Sequence, residues 1–508
     1  MIHQLLKTSA LLCGLSLFAL QGMAQSTFEL IDEVPANLDN EPAPVHPLPH
    51  PRQVEWMRTE FYGFFHYGMN TFTANEWGNK LDAPTSTYAP TKMPNPRQWL
   101  EVAQSAHMKG GIAVVKHHDG FCLWPTETTD YNINGAGNEF GRTANIPELF
   151  GKAAQDLGLK YGFYVSPWDA HDYRYGTPEY VNEVFLQQCK ELAQYGSDQF
   201  EMWFDGANGG EGKYGGSTLT KREIDRASYY DVPNLRDLVH RISPNCVLWG
   251  VGGEARWIGN EDGIAGETNW CPDNREEGKD QSNAKSGNEN GWMWLPGESD
   301  AKATNNGWFW KSGDTMKDKS TLFKMYLETV GRNSTFILNI PPDKNGEIPE
   351  AFAKRMKELG DLLDARLSVN KAKLATVTAT NTRADGANRT YSVSNLVDDD
   401  IESYFATEDG VNNVSITFEF PEAQKVYYVM LQEHIQLGQR VKAFNIETST
   451  DGETWKPFGG TVPTTTIGYK RIIPKTSTSS YGYQNAKYVR VNITDAKACV
   501  TLDNIAIY

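Results

Sequence analysis

A chain of 508 residues is too long for one small domain and suits two, one of them large. Its composition is that of an ordinary soluble protein, except that aromatic residues reach 12% with 14 tryptophans. The formal net charge of −16 argues against nucleic acid or an anionic membrane surface as partner, because phosphates would be repelled; an acidic, tryptophan-rich chain suits a neutral ligand such as a glycan.

In chain order, Lys7 precedes the apolar run "TSALLCGLSLFALQGMA", which ends in small residues. The pattern predicts a signal peptide over residues 1–24, cleaved after Ala24, and a secreted or periplasmic protein. The run is too short and wrongly flanked for a stable transmembrane span, and Leu12 before Cys13 breaks a lipid-attachment motif. Residues 25–52 are rich in proline and predict an extended arm. From 53 to 370, apolar strands alternate with helix-like segments: "FYGFFHYG", "GIAVVKHHDG", "KYGFYVSPWD", "FEMWFDG", "CVLWG" and "TFILNIPP" are the strands. Repeated βα units with apolar strands imply a parallel sheet, and this length favours closure into an α/β (β/α)8 TIM-like barrel. "CPDNREEGKDQSNAKSGNENG" is a long polar insertion in it. Residues 371–508 turn to short Thr/Val/Ser-rich alternating stretches separated by turns such as "DGETW", predicting an antiparallel β-sandwich domain. Five dispersed cysteines follow the signal (Cys122, Cys189, Cys246, Cys271 and Cys499), an odd set that suggests buried apolar residues and neither a zinc knuckle nor a disulfide framework.

The strand ends are loaded with polar groups, and in a barrel these point into the active-site bowl. The first ends at His66, with Glu76 and Trp77 in the loop beyond; the second ends at His117, His118 and Asp119. The third supplies Tyr164 and leads to Trp168 and Asp169; the fourth ends on Trp203 and Asp205. Beyond the fifth, "EARWIGNEDG" offers Glu254, Arg256, Trp257 and Glu261. Taken singly, His66 reads as a core histidine, Asp119 as a turn residue and the loop glutamates as solvated. Adjacent strand residues face opposite ways, so of His117 and His118 one is expected in the bowl and the other in the frame. Asp205 has the weakest structural excuse, because a carboxylate next to Met202, Trp203 and Phe204 is costly unless paired or used. Two chemistries fit: a divalent-metal hydrolase, for which "HHD" is a weak ligand pattern, and glycoside hydrolysis by two carboxylates.

At these residues the sequence resembles glycoside hydrolase family 29, the α-L-fucosidases, in particular those acting on α1,3/4-linked fucose. The resemblance covers residues 46–370 through "PLPHPRQVEWMRTEFYGFFHYGMNTFTANEWG", "KHHDGFCLWPT", "YGFYVSPWD", "MWFDGANG", "RWIGNEDG" and "FILNIPPDKNGEIP". It implies a retaining mechanism with Asp205 as nucleophile and Glu261 as acid/base, the two carboxyls about 5–5.5 Å apart. Glu298 in "WLPGESD" is the second candidate for the acid. The implied fucose-binding residues are His66, Glu76, Trp77, His117, His118, Tyr164, Trp203 and Arg256; the partner is a fucosylated oligosaccharide, and catalysis requires no cofactor or metal. Asn305 and Asn306 stand where the α1,3/4 group has Arg-Pro, which together with the polar insertion leaves linkage preference open. A β-galactosidase or dual activity is an alternative, and a non-catalytic glycan-binding barrel is the rival of another class. The C-terminal part resembles the discoidin-like (factor 5/8 C-type) sandwich through "NLVDDDIESYFATEDG" and "KYVRVNI"; that fold can carry a structural calcium, for which Asp398–Asp400 is a hint, and a scaffold or site-completing role is preferred to independent glycan binding. Oligomeric state is not legible.

Overall fold

The computed structural model describes residues 37–75, 83–196, 198–205, 213–214, 220–222, 224–225, 227–274, 284–459, 465–475 and 482–508. The predicted signal segment and its cleavage point, Glu76, Trp77 and the centre of the polar insertion lie outside them.

Six short, mostly apolar runs together with the two-residue β6 and the polar β7 build eight parallel strands: β1 (Phe61–Phe65), β2 (Gly110–Lys116), β3 (Lys160–Val165), β4 (Glu201–Phe204), β5 (Val247–Gly250), β6 (Arg256–Trp257), β7 (Gly297–Lys302) and β8 (Ser334–Asn339). They pair in sequence order, β8 returns to β1, and a single bridge between Trp249 and Ala255 spans the remaining seam from β5 to β6. This is the expected barrel, with one revision. The stretch expected as a loop beyond the fifth strand itself supplies β6, because Gly250 and Gly253 take positive φ (67° and 75°) and turn the chain back within a few residues.

Helix α1 (Pro51–Thr59) precedes β1, capped by the His50 side chain with Pro51 in its first turn. It closes the N-terminal mouth of the barrel: Gln53 Nε2 donates to the Glu254 carbonyl at 2.8 Å and to the Trp294 carbonyl at 3.2 Å, while Trp56 packs into the barrel interior. Helices α2 (Pro96–Ser105), α3 (Ile146–Leu157), α4 (Leu186–Ala193), α5 (Val232–Ile242), α6 (Lys319–Thr329) and α7 (Glu350–Leu367) cover the outside. Proline opens α2, α3 and α5 at a position where a missing N–H costs nothing. All five described cysteines are buried and unpaired, as expected of small core residues.

The C-terminal unit is an antiparallel sandwich. One sheet has five strands in the order β9 (Thr376–Ala379), β11 (Val414–Val426), β16 (Gln484–Ala496), β13 (Val441–Ser449), β14 (Lys456–Phe458). The other has four, in the order β10 (Phe405–Ala406), β17 (Thr501–Ile507), β12 (Tyr428–Glu433), β15 (Arg471–Pro474). Alternating residues such as Val414, Ile416, Phe418 and Phe420 fill the space between the sheets.

The sandwich grips the barrel at the N-terminal ends of β1 and β8. Lys470 pairs with Glu60, Tyr469 N–H donates to Asn333 Oδ1 at 2.7 Å, and Arg471 Nη1 donates to the Gly331 carbonyl at 3.0 Å. Met430, Ile472 and Ala506 belong to the barrel's outer core. The extended arm crosses the sandwich rather than the barrel: Tyr391 Oη donates to the Asp39 carbonyl at 2.6 Å, and Val45 N–H to the Leu437 carbonyl at 2.9 Å. These contacts fall at the end of the barrel opposite the bowl.

Candidate active site

Side-chain alternation along the strands stacks the barrel interior in layers. Tyr62, Glu201 and Glu298 occupy the deepest, and Phe64, Trp203 and Asp300 lie above them. His66, Asp205, Lys302 and Asn339 stand at the C-terminal rim, each two residues further along its own strand. Each polar residue of the rim is therefore the C-terminal end of an inward-facing series.

At the rim, Tyr164 Oη donates to Asp205 Oδ2 at 2.9 Å, and His118 Nε2 lies 3.4 Å from the same oxygen. The Asp205 side chain keeps 39% exposure at the end of an otherwise buried strand, so it is accessible and aimed by two neighbours. The Tyr164 hydroxyl stays protonated, because burial and then the Asp205 charge oppose its ionisation. It can only donate.

The hydrogen-bond network fixes what the three imidazoles offer. Asn339 Nδ2 donates to the Trp308 carbonyl at 2.7 Å, so its Oδ1 accepts from His66 Nδ1–H at 2.7 Å and His66 presents Nε2 as an acceptor. Burial lowers the pKa of His66 to about 3, keeping it neutral. His117 accepts at Nδ1 from Asn70 at 3.4 Å and therefore presents Nε2–H; burial, then the neighbouring imidazoles of His118 and His66, hold its pKa well below the usual value. Ser166 donates to the Trp168 carbonyl and accepts from His118 Nδ1–H, both at 2.7 Å, turning Nε2 of His118 to Asp205. His66 and His117, two neutral rings with fixed donor and acceptor sides, match alternating sugar hydroxyls.

The expectation that His117 and His118 face opposite ways does not hold. β2 ends at Lys116, its register slips between Val114 and Lys116, and past the strand the pleat no longer alternates. Both rings enter the bowl, 4.3 Å apart. Asp119 takes its expected turn role, accepting from Phe121 N–H at 2.9 Å ahead of Gly120 at φ 86°. His117, His118 and Asp205 have ligand atoms all within 4.8 Å of one another, the one such cluster among the described residues. In the tautomers just derived, His117 turns an N–H toward that space, which suits a hydroxyl oxygen and not a cation.

Trp203 forms the wall, stacked on Trp249 at 3.6 Å and 8° and flanked by Tyr164 at 5.3 Å. Its Nε1–H donates to Glu298 Oε1 at 2.5 Å, while Tyr62 Oη donates to the other oxygen. Glu298 is fully buried beneath this wall, which removes it as the alternative acid. Glu201 lies against it, also fully buried, with neither oxygen on a regular donor. Burial first, and then Glu298, push the Glu201 carboxyl up, and burial raises Glu298 as well, so the pair retains a proton above the usual carboxylate range. A carboxyl raised in the fold contributes its full stability below about pH 4.3, the unfolded value, and loses it as pH rises toward the folded value. Glu201→Gln should therefore flatten a decline of up to about 1.4 kcal/mol per pH unit above pH 4.3. Urea midpoints measured from pH 4 to 8 that are parallel for wild type and variant exclude the retained proton.

Arg256 departs from its implied sugar-binding role. It is fully buried on the outer face of β6, where its guanidinium donates to the Ala284 carbonyl at 3.1 Å and to the Leu295 carbonyl and Asn269 Oδ1. Glu254 is likewise structural, accepting from Arg52 at 2.9 Å and from Leu248 N–H at 2.9 Å. Glu261 is half exposed beyond β6, and Lys302 Nζ from the rim of β7 donates to it at 3.1 Å. Lys302 also lies 5.0 Å over the Trp308 ring, which faces His66 at 5.0 Å. Asn339, Asp300 and Lys302 were not foreseen; the polar alternation within "GESDAK" is the signal that marks the last two. Asn305 and Asn306 bind their own loop, to Thr315 at 2.9 Å and Asp314 at 2.8 Å.

A parallel barrel whose rim gathers neutral imidazoles, an aromatic wall and an accessible, oriented carboxylate defines the class of carbohydrate-cleaving hydrolases. Residues 45–366 match the Alpha-L-fucosidase family model, and residues 376–502 match the F5/8 type C domain. The chain belongs to the α-L-fucosidase family and is a glycoside hydrolase. It is 33% identical to Alpha-L-fucosidase 1 of Arabidopsis thaliana over 442 residues, covering 86% of this chain and 83% of that one. A solved glycoside hydrolase 29 family member from an unknown rumen bacterium superposes with a TM-score of 0.78 at 32% identity, over 92% of this chain and 78% of the other. A Ruminococcus gnavus family 29 fucosidase in complex with fucose superposes with a TM-score of 0.79 at 29% identity, over 93% and 97%. Among the described residues no helix is long and apolar enough to cross a membrane.

Proposed function

We propose that the protein is a retaining exo-α-L-fucosidase that removes α1,3/4-linked fucose from branched oligosaccharides, with Asp205 as nucleophile and Glu261 as acid/base. The observation that carries it is Asp205 itself, an exposed carboxylate at the end of a buried barrel strand, held by Tyr164 and His118 beside the Trp203 wall. In the first step an Asp205 oxygen attacks the anomeric carbon as the glycosidic bond breaks, and Glu261 gives its proton to the departing oxygen. In the second, Glu261 takes a proton from water, whose oxygen displaces Asp205 and releases fucose. His66 Nε2 accepts from a sugar hydroxyl, His117 donates to one, and Trp203 packs against the ring; Glu76 and Trp77 complete the proposed contacts by family resemblance. No cofactor enters either step. The protein is exported, and the sandwich serves as a support with any calcium structural only; Asp398 and Asp400 accept from their own turn, at Asp400 N–H (2.9 Å) and Glu402 N–H (3.0 Å).

The test follows fucose release by NMR from Lewis-type trisaccharides, α1,2-fucosyllactose and an aryl β-galactoside, with and without chelator. The expected result is α-fucose as the first-formed product, from the α1,3/4-linked substrates, at a rate the chelator leaves unchanged. First-formed β-fucose rejects the retaining mechanism, preferential galactoside cleavage rejects the substrate, and loss of rate in chelator favours a metal at His117, His118 and Asp205.

A further inference from the structure

Trp257 is the one inward-facing residue of β6, and it remains 41% exposed. Its direction follows from two contacts. Arg256 beside it binds outward carbonyls, so Trp257 must point to the other face of the strand. Trp257 Nε1–H donates at 2.7 Å to Oδ1 of Asp300, which belongs to the inward series Glu298, Asp300, Lys302 of β7. An inward indole with that much free surface faces the mouth of the bowl. Asp300 is buried and spends an oxygen on the indole N–H, which holds a large apolar surface open to solvent in one orientation.

Its place along the wall is equally defined. From the fucose end the order runs His66, Trp308, Lys302 and then Glu261, linked by the 5.0 Å ring contact, the 5.0 Å cation–ring contact and the 3.1 Å ion pair. Asp300 shares β7 with Lys302, Glu261 follows Trp257 by four residues beyond the paired strand β6, and the Asp300 carboxyl feels the Glu261 charge. An acid/base stands where the cleaved bond lies, so a surface gathered beside it on this side receives the leaving group rather than the fucose.

We infer that Trp257, oriented by Asp300, is the platform for the leaving-group sugar: a neutral pyranose lays its C–H face on the indole while its glycosidic oxygen meets Glu261. This rests on the fucosidase reading above. The positive C–H edges of a pyranose complement the negative face of the indole, and a fixed aromatic ring makes that contact with little loss of side-chain freedom. Asp300 is a positioning residue in this arrangement.

The experiment compares kcat/KM on a Lewis-type trisaccharide with kcat/KM on α-L-fucosyl fluoride, which has no leaving sugar. Trp257→Ala is expected to lower the ratio of the two about ten- to a hundredfold, Trp257→Phe to restore much of it, and the inhibition constant of free fucose to report an intact fucose pocket. Asp300→Leu should reproduce the loss, chiefly as a rise in KM, whereas Asp300→Asn, which keeps an acceptor for the indole, should rescue it. A Trp257→Ala ratio equal to wild type, or equal losses on both substrates with weakened fucose inhibition, overturns the platform. Should Trp257→Ala fail to fold, Trp257→Phe and the Asp300 pair decide the matter by the same ratio. Wild-type enzyme that leaves fucosyl fluoride intact would instead overturn the activity on which the inference stands.

Discussion

Asp205→Gly is expected to lower the rate on aryl α-L-fucosides by about 10³- to 10⁵-fold, leaving circular dichroism and thermal midpoint close to wild type. The size follows from the role. Without the carboxylate no covalent intermediate forms, and what remains is binding and proton transfer without a nucleophile. The fold should tolerate the change because the Asp205 side chain is 39% exposed and its two partners keep other support: Tyr164 stays packed between His117 and Trp203, and His118 stays bonded to Ser166. Glycine also opens space for an external anion, so azide should restore turnover with an inverted glycosyl azide product. A variant with more than about a tenth of wild-type activity would move the nucleophile elsewhere in the bowl.

Glu261→Ala carries the second large effect, a drop of about 10²- to 10⁴-fold on oligosaccharides and a much smaller one in the first step with an aryl fucoside. A nitrophenolate leaves without a proton, whereas a sugar alkoxide does not, so the two substrates separate proton donation from everything else Glu261 touches. Its partner Lys302 is tethered independently over Trp308, so losing the ion pair should not collapse the rim. The same contrast tests Glu298. Beneath Trp203 and fully buried, it reaches no glycosidic oxygen, and Glu298→Ala should depress both substrates alike by loosening the wall. Substrate-selective loss in Glu298→Ala, with none in Glu261→Ala, would reverse the assignment.

The wall itself was only half legible. "FEMWFDG" shows an apolar strand with an unexplained aspartate, yet nothing in the stretch singles out its glutamate, Glu201. It is a buried acid because β7, nearly a hundred residues later, brings Glu298 against it. His117 and His118 illustrate the opposite failure. Their identity and position are plain in the chain, but the pleat rule misplaces one of them because it ends where the hydrogen-bonded strand ends. Arg256 was misjudged for a related reason: β6 is too short and too close to β5 to read as a strand, so the outward direction of its first side chain had no pattern to reveal it.

By itself, the sequence determined the barrel, the sandwich and the candidate carboxylates. Periodicity and apolar run length are local properties, and strands buried on both faces leave a clear mark. The tertiary structure alone decided which way each strand-end residue points, which imidazole donates and which accepts, and which glutamates are buried and which is exposed. Those choices depend on partners such as Asn339, Asp300 and Lys302 that close ring strands bring together across long stretches of chain, and no local pattern encodes the pairing.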